Sequence, residues 1–364
     1  MTQAQDPARP CPEWREPQWW WRALLTYAIA LIGGFSASTL GIPLPWMLGP
    51  FFLCGIASGA GLSLRAVPFG REVAQMIIGL GIGLRFTAAT LVSTLLLAPA
   101  MLVSTVYIIA YTMVAAFLFR PLARVSHTTA FFATAAGGVA DMAVIAREKG
   151  GDAAAVGIVH ALRVSMTVAI VPILVVSFAE PGTVPDRLLA TGPSVLWLVP
   201  VFGIGFLFAR LLKKTQMPNP WLVAPMLLGI LLGASGVLVI AVPPVAIIAA
   251  QVLLGTWLGS QFRRELIVTL PRVAMAGIAA SIFMICMALL GAFVLSATTS
   301  LSLATSFLAL APAAVTEMVI TAKAMHLDPE VVTGFHVMRI FIVCATTLLM
   351  FRIYLRIAGA LTRA

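Results

Sequence analysis

Arg163 and Arg339 are the residues from which chemistry can be argued first. Each stands inside a long apolar run. Each follows a histidine by three positions (His160, His336) and an acidic residue by 22 positions (Asp141, Glu317). Counted from the start of its helix, each arginine lies about 11 residues in. That is roughly 16 Å at the helical rise, near the centre of a hydrocarbon core about 30 Å thick. An arginine at that depth costs about 2.5–3.5 kcal/mol on insertion scales, so it requires partners. Asp141 and Glu317 are the expected ones. Two readings stay open. In one, each arginine–carboxylate pair is a buried tie that pins a broken segment to the neighbouring helix. In the other, one or both arginines bind an anionic substrate, or the carboxylates carry protons.

Around this pair of charges stand further candidates. His160 and His336 share a helix face with their arginines; such a histidine is either a hydrogen-bonded packing residue or a proton site. Gln75 and Gln251 are large polar side chains deep in apolar helices, there for packing hydrogen bonds or for substrate contact. Gly137 and Gly138, with Pro312 in the second copy, sit where a helix has to break. Gly79, Gly81, Gly83, Gly255 and Gly259 make small-residue faces that let helices approach closely. Asp152 and Asp328 stand at helix starts, where an N-cap role is expected. The four cysteines (Cys11, Cys54, Cys286, Cys344) and four histidines show no metal-ligand spacing, so no metal site, disulfide framework or cofactor is implied.

These residues recur because the chain is duplicated. GIPLPWMLGPFFLCGIASGAG (41–61) matches QMPNPWLVAPMLLGILLGASG (216–236), and VAQMIIGLGIGLRF (73–86) matches AAQVLLGTWLGSQF (249–262). The block 133–163 matches 309–339, carrying Met142, Asp152, His160 and Arg163 onto Met318, Asp328, His336 and Arg339. Three blocks in one order at an offset of 175–176 residues make two repeats, 19–180 and 181–364, behind a disordered tail at 1–18. Each repeat reads as five apolar helices with a Gly/Ala/Thr-rich interruption before the last. The expected helices are 19–40, 46–64, 68–86, 90–119 and 152–178, then 192–212, 220–240, 244–261, 266–295 and 328–357. The interruptions are 127–150 and 302–327.

Composition sets the medium. Of 364 residues, 61% are hydrophobic and 10% charged, and the mean hydropathy is +1.04. Soluble domains carry about 25% charged residues; a soluble enzyme and a disordered chain are both excluded. Apolar runs such as 92–119 are too long for β-barrel strands. The chain is therefore expected to be an all-α polytopic membrane protein whose first partner is the lipid bilayer. Its excess of 23 Lys+Arg over 13 Asp+Glu belongs to cytoplasmic loops, not to nucleic acid. Cations flank the tail, the 65–71 loop and the 120–124 loop of the first repeat but spare 41–45; in the second repeat the pattern reverses, with Arg210, Lys213, Lys214, Arg263 and Arg264 on the opposite loops. The expected topology is two inverted five-helix repeats with about ten spanning helices, each repeat with a re-entrant segment, both termini cytoplasmic and Arg85 a lone cation outside. Inverted repeats with broken helices are the build of secondary transporters, whose half-helix N-termini point at anions.

At 133–163 and 309–339 (ATAAGGVADM…VHALRV and ALAPAAVTEM…FHVMRI) the chain resembles the AbrB-type duplicated membrane proteins, often labelled AbrB family transcriptional regulators or ammonia monooxygenases. The resemblance covers about residues 25–355, with Pro312-Ala313-Ala314 where the family often has Pro-Gly-Gly. It implies a multi-pass protein of the bacterial inner membrane and a role in regulating gene expression. No segment matches the small β-rich DNA-binding fold, and no copper or iron ligand set is present. The expectation is a non-enzymatic carrier of a small anionic solute, its regulatory effect indirect and without direct nucleic-acid binding. A sensor, a membrane enzyme and a homodimeric assembly are the alternatives left open.

Overall fold

The computed structural model describes residues 17–178, 196–215, 217, 219–236, 241–261 and 270–361. Residues 1–16 of the tail, the repeat boundary at 180/181, Arg263, Arg264, Pro218 and part of the 237–244 loop lie outside these residues, and the last two positions of the expected disordered tail already belong to a helix. Everything regular among the described residues is helical. The first half holds α1 (Pro17–Thr39), α2 (Pro45–Gly59), α3 (Gly70–Gly83), α4 (Ala88–Leu96), α5 (Ala98–Ala123), α6 (His127–Thr134), α7 (Val139–Glu148) and α8 (Ala153–Phe178). The second holds α9 (Leu198–Lys214), α10 (Pro220–Ser235), α11 (Pro244–Gly259), α12 (Pro271–Thr298), α13 (Leu303–Leu310), α14 (Val315–Ala324) and α15 (Pro329–Leu361).

Four of these, α5, α8, α12 and α15, are long and apolar enough to cross a membrane, and α3 with α4, bent by 96°, makes up to five. Helices α10 and α11 are apolar but shorter, 16 residues each, against about 20 for a straight crossing. The chain is thus a helical membrane protein. The expected helix over 90–119 divides into α4 and α5 near Leu97. Pro99 occupies the first turn of α5, where its missing N–H is one that has no intrahelical partner anyway. The hydroxyl of Thr87 caps α4 and Thr90 returns the bond.

The helices pack in two groups. In one, α1 lies on α2 and α9 on α10, while α3 crosses α10 and α11 crosses α2. Each crossing joins the two sequence halves. Its closeness comes from glycine: a Cβ on Gly79 or Gly83 would overlap the carbonyl oxygens of Leu222 or Met226, and one on Gly255 or Gly259 those of Met47 or Phe51. These are the small-residue faces read from the sequence. In the other group α5 and α12 pack together, α8 on α12 and α15 on α5, enclosing the interrupted segments.

One detail of the second interruption predicts its own repair. Gly150 ends α7 with φ +76°, and Gly151 N–H donates to the Ala146 carbonyl at 2.7 Å. The matching residue after α14 is His326, exposed, with φ +52°, and Leu327 N–H donates to Ala322 at 2.9 Å. Glycine takes this left-handed terminus without strain; a side chain costs about 1–2 kcal/mol there. His326→Gly is expected to raise the unfolding midpoint in detergent by an amount worth about 1 kcal/mol. An unchanged or lowered midpoint would contradict the strain.

Candidate functional site

The interrupted segments are hairpins. His160 Nε2 meets the Phe132 carbonyl at 2.8 Å and Arg163 Nη1 donates to that of Ala135 at 2.6 Å, so α8 and α6 advance in the same direction. Asp152 N–H donates to Thr129 Oγ1 at 3.0 Å, which places the start of α8 beside the start of α6. Helix α7 must therefore run back from the break to where α6 began. In the second half His336 Nε2 meets Leu308 O at 2.9 Å and Arg339 Nη1 donates to Ala311 O at 2.8 Å. Those pairs are again 28 residues apart and in one sense, so α14 runs back in the same way. Gly137 and Gly138 lie in the first break and Pro312 in the second, as their chemistry requires.

The arginines do not pair with the carboxylates. Arg163 donates to Ala135 O and, at 3.5 Å, to Thr134 O and Gly137 O; Arg339 donates to Ala311 O and Ala313 O, both at 2.8 Å. Among the described residues neither forms an ion pair with Asp141 or Glu317. The physical reason lies in the breaks. Helices α6 and α13 end inside the protein, and the last four carbonyls of a helix have no intrahelical acceptor role. They also carry the negative end of the helix dipole, about half a charge. A guanidinium neutralises that end and bridges carbonyls that a carboxylate would leave orphaned. The expected Arg163–Asp141 and Arg339–Glu317 ties are thus corrected to arginine–carbonyl brackets.

The histidines complete the brackets. Arg163 Nη2 lies 3.1 Å from His160 Nδ1, and Arg339 Nη2 lies 2.8 Å from His336 Nδ1. Guanidinium nitrogens only donate, so each Nδ1 accepts and each Nε2–H donates to its carbonyl. Both rings are buried and neutral in this arrangement. A second ring proton would face an arginine N–H, which favours the packing role over the proton role.

The carboxylates serve the opposite helix ends. Asp141 and Glu317 are third residues of α7 and α14, where a negative charge suits the positive helix terminus. Asp141 folds back so that its Oδ2 sits 2.8 Å from where a Gly138 Cβ would stand. Glu317 Oε2 accepts from Thr316 Oγ1 at 2.9 Å. Asp152 caps α8, accepting from Ala154 N–H at 2.8 Å. Gln75 donates to Asn219 Oδ1 at 3.1 Å across the α3–α10 crossing, a packing bond between the two halves. Gln251 occupies the matching place on α11 and is half-buried.

Three residues that sequence reasoning did not single out emerge here, the first two of them beside this centre. Tyr111 of α5, buried, points its hydroxyl at Leu310 O at 3.4 Å and lies within electrostatic reach of both arginines. Arg71 stacks on Trp257, 4.3 Å from the ring centroid, and its charge reaches Glu317. Glu330 pairs with Arg85, so the expected lone outer cation has a partner at 3.1 Å. One of only four tyrosines, standing inside an apolar run, was the available signal for Tyr111; the other two needed the packing. Chemically the centre offers two guanidiniums whose Nε–H groups are buried without an acceptor, two half-helix N-termini and two carboxylates.

The family described as transition state regulatory protein AbrB matches this chain over residues 1–120 and 46–355. A Bacillus subtilis (strain 168) protein called YhjN is 27% identical, covering 87% of this chain and 89% of its own length. An Escherichia coli (strain K12) protein named as a regulator, AbrB, is 23% identical, covering 90% of this chain and 94% of its own.

Proposed function

The chain belongs to the AbrB family of transition state regulatory proteins, and on that premise we propose that it is a secondary-transporter-like inner-membrane protein that moves a small anionic solute. The observation that carries the reading is the pair of arginine–histidine brackets, recurring 176 residues apart on two hairpins that break inside a bilayer-sized bundle. Broken helices at membrane depth survive only inside protein or beside water, and they are where carriers place their sites. Two guanidiniums with spare N–H groups, and no carboxylate on either, favour a negatively charged solute. In this reading the halves are inverted five-helix repeats, both termini are cytoplasmic, and the first hairpin dips from the cytoplasm and the second from outside. The regulator name of the Escherichia coli relative fits a second reading in which gene expression changes because solute levels change, with no contact to DNA.

Reconstituted protein in proteoliposomes should move at least one small carboxylate or other metabolite anion down its gradient. Asp141→Asn should change the rate at least about tenfold if that carboxylate meets solute or proton, since one lost polar contact is worth a factor of that order. No flux of any small anion, with a changed transcriptome in a deletion strain, would move the weight to a sensor.

A further inference from the structure

The two hairpins match in sequence and in their arginine brackets, yet their surroundings differ. Helix α14 is buried from Val315 to Ala322 and packs on α3 as well as α15. Glu317 is 6% exposed and Ile320 4%. Helix α7, 176 residues earlier, packs mainly on α8 and α6 and leaves Asp141 exposed and Val144 55% exposed. The tips differ in the same sense: Pro312 and Ala313 are buried and Ala314 half-buried, whereas the matching Ala136 and Gly137 are half-buried and Gly138 is exposed. A carboxylate left uncovered at membrane depth needs water beside it. One hairpin is therefore open and the other occluded.

On the occluded side an ion pair joins the two helix groups. Arg85 Nε donates to Glu330 Oε1 at 3.1 Å, with side chains 9% and 13% exposed. Arg85 follows α3 of the first group, and Glu330 stands in the first turn of α15, just after α14. Helix α4, next along the chain from Arg85, rests on both α10 and α15. At the matching positions of the other half stand Gln261 and Ala154, which cannot form an ion pair. Among the described residues the tie thus stands on one side of the pseudo-symmetric pair.

We propose that the Arg85–Glu330 ion pair is the tie that holds the α14 side of the paired hairpins closed while the α7 side stands open. This deepens the transport reading and rests on it: by the loop charges the open side is cytoplasmic and the tied side external. The tie stabilises the state seen here only while both charges are present, so neutralising one shifts the balance toward opening on the α14 side.

Labelling decides it without any solute. In a background with Cys11, Cys54, Cys286 and Cys344 replaced by Ala, Val144→Cys and Ile320→Cys are treated with a membrane-impermeant maleimide in right-side-out and inside-out vesicles. Val144→Cys should label from the cytoplasmic side, and Ile320→Cys should be protected from both. Adding Arg85→Ala should raise external labelling of Ile320→Cys by about tenfold, the order of a coupling through one contact. Exchanging the charges, Arg85→Glu with Glu330→Arg, should restore protection. Glu330→Gln, which keeps the shape and removes the charge, carries the same test where Arg85→Ala fails to fold. Equal labelling of the two cysteines in the parent, or continued protection of Ile320→Cys after either neutralisation, overturns the proposal. A labelling switch in a protein that moves no anion would sink the transport reading alone, and flux with no switch would sink the tie alone.

Discussion

Arg339→Ala should cost about 3–5 kcal/mol of stability, and adding Glu317→Ala should not recover it. The arginine holds the carbonyls of Ala311 and Ala313 and the Nδ1 of His336, all buried. Losing it leaves three buried acceptors unpaired, each worth about 1–3 kcal/mol. Were the carboxylate its partner, deleting both members would remove the uncompensated charge and return most of the loss. Backbone carbonyls cannot be deleted, so no side-chain substitution returns it. Arg339→Lys should recover only part, because one ammonium cannot reach three acceptors set for a planar fork. The same series at Arg163 should give smaller losses, since its bonds to Thr134 O and Gly137 O are 3.5 Å long and its tip is more open. Unfolding in detergent, followed by denaturant or heat, measures all of these. Recovery of the double mutant to within about 1 kcal/mol of the parent would contradict the bracket.

Gly79→Leu and Gly255→Leu should each destabilise by at least about 3 kcal/mol, and Gly79→Ala by about 1–3. At both crossings the added carbon would overlap a backbone oxygen, Leu222 O or Met47 O, which no rotamer change can move. The helices must separate, and with them the join between the sequence halves. The control is Gly203→Ala in α9, where a Cβ meets nothing within 4 Å. There the change should gain up to about 1 kcal/mol, because alanine gives up less freedom in a helix. Opposite signs at Gly79 and Gly203, in the same unfolding assay, separate packing from helix propensity. Equal and small effects at both would remove the close crossing as a source of stability.

Much of this arrangement was legible beforehand. The interruptions 127–150 and 302–327 became α6–α7 and α13–α14 because Gly137, Gly138 and Pro312 break helices locally, and a local cause can be read locally. The glycine faces could be read too, since the i, i+4 spacing of small residues states that something comes close. What comes close could not be read: Gly79 meets the carbonyl of Leu222 in the other half of the chain, a contact set by the whole bundle. The long helix expected over 90–119 failed near Leu97, where a short amphipathic α4 turns aside before α5 begins.

By itself the sequence determined the medium, the duplication, and the residues that had to gather at the breaks. Composition, periodicity and recurrence are properties of the chain, and each acts through neighbours a few positions away. It also determined that Arg163 and Arg339 needed partners, since the cost of a buried guanidinium does not depend on the fold. Only the tertiary structure decided which partners. Side chains can be paired by opposite charge on paper, whereas the acceptors the arginines meet here are main-chain carbonyls that every residue possesses and no letter marks. They become acceptors only where a helix ends inside the protein, and that end exists only once α6 and α8, or α13 and α15, lie side by side. The difference between the open and the occluded hairpin belongs to the same class. The two copies keep the histidine, arginine and carboxylate positions around the breaks, and their packing differs in that α14 reaches α3 while α7 packs on α6 and α8.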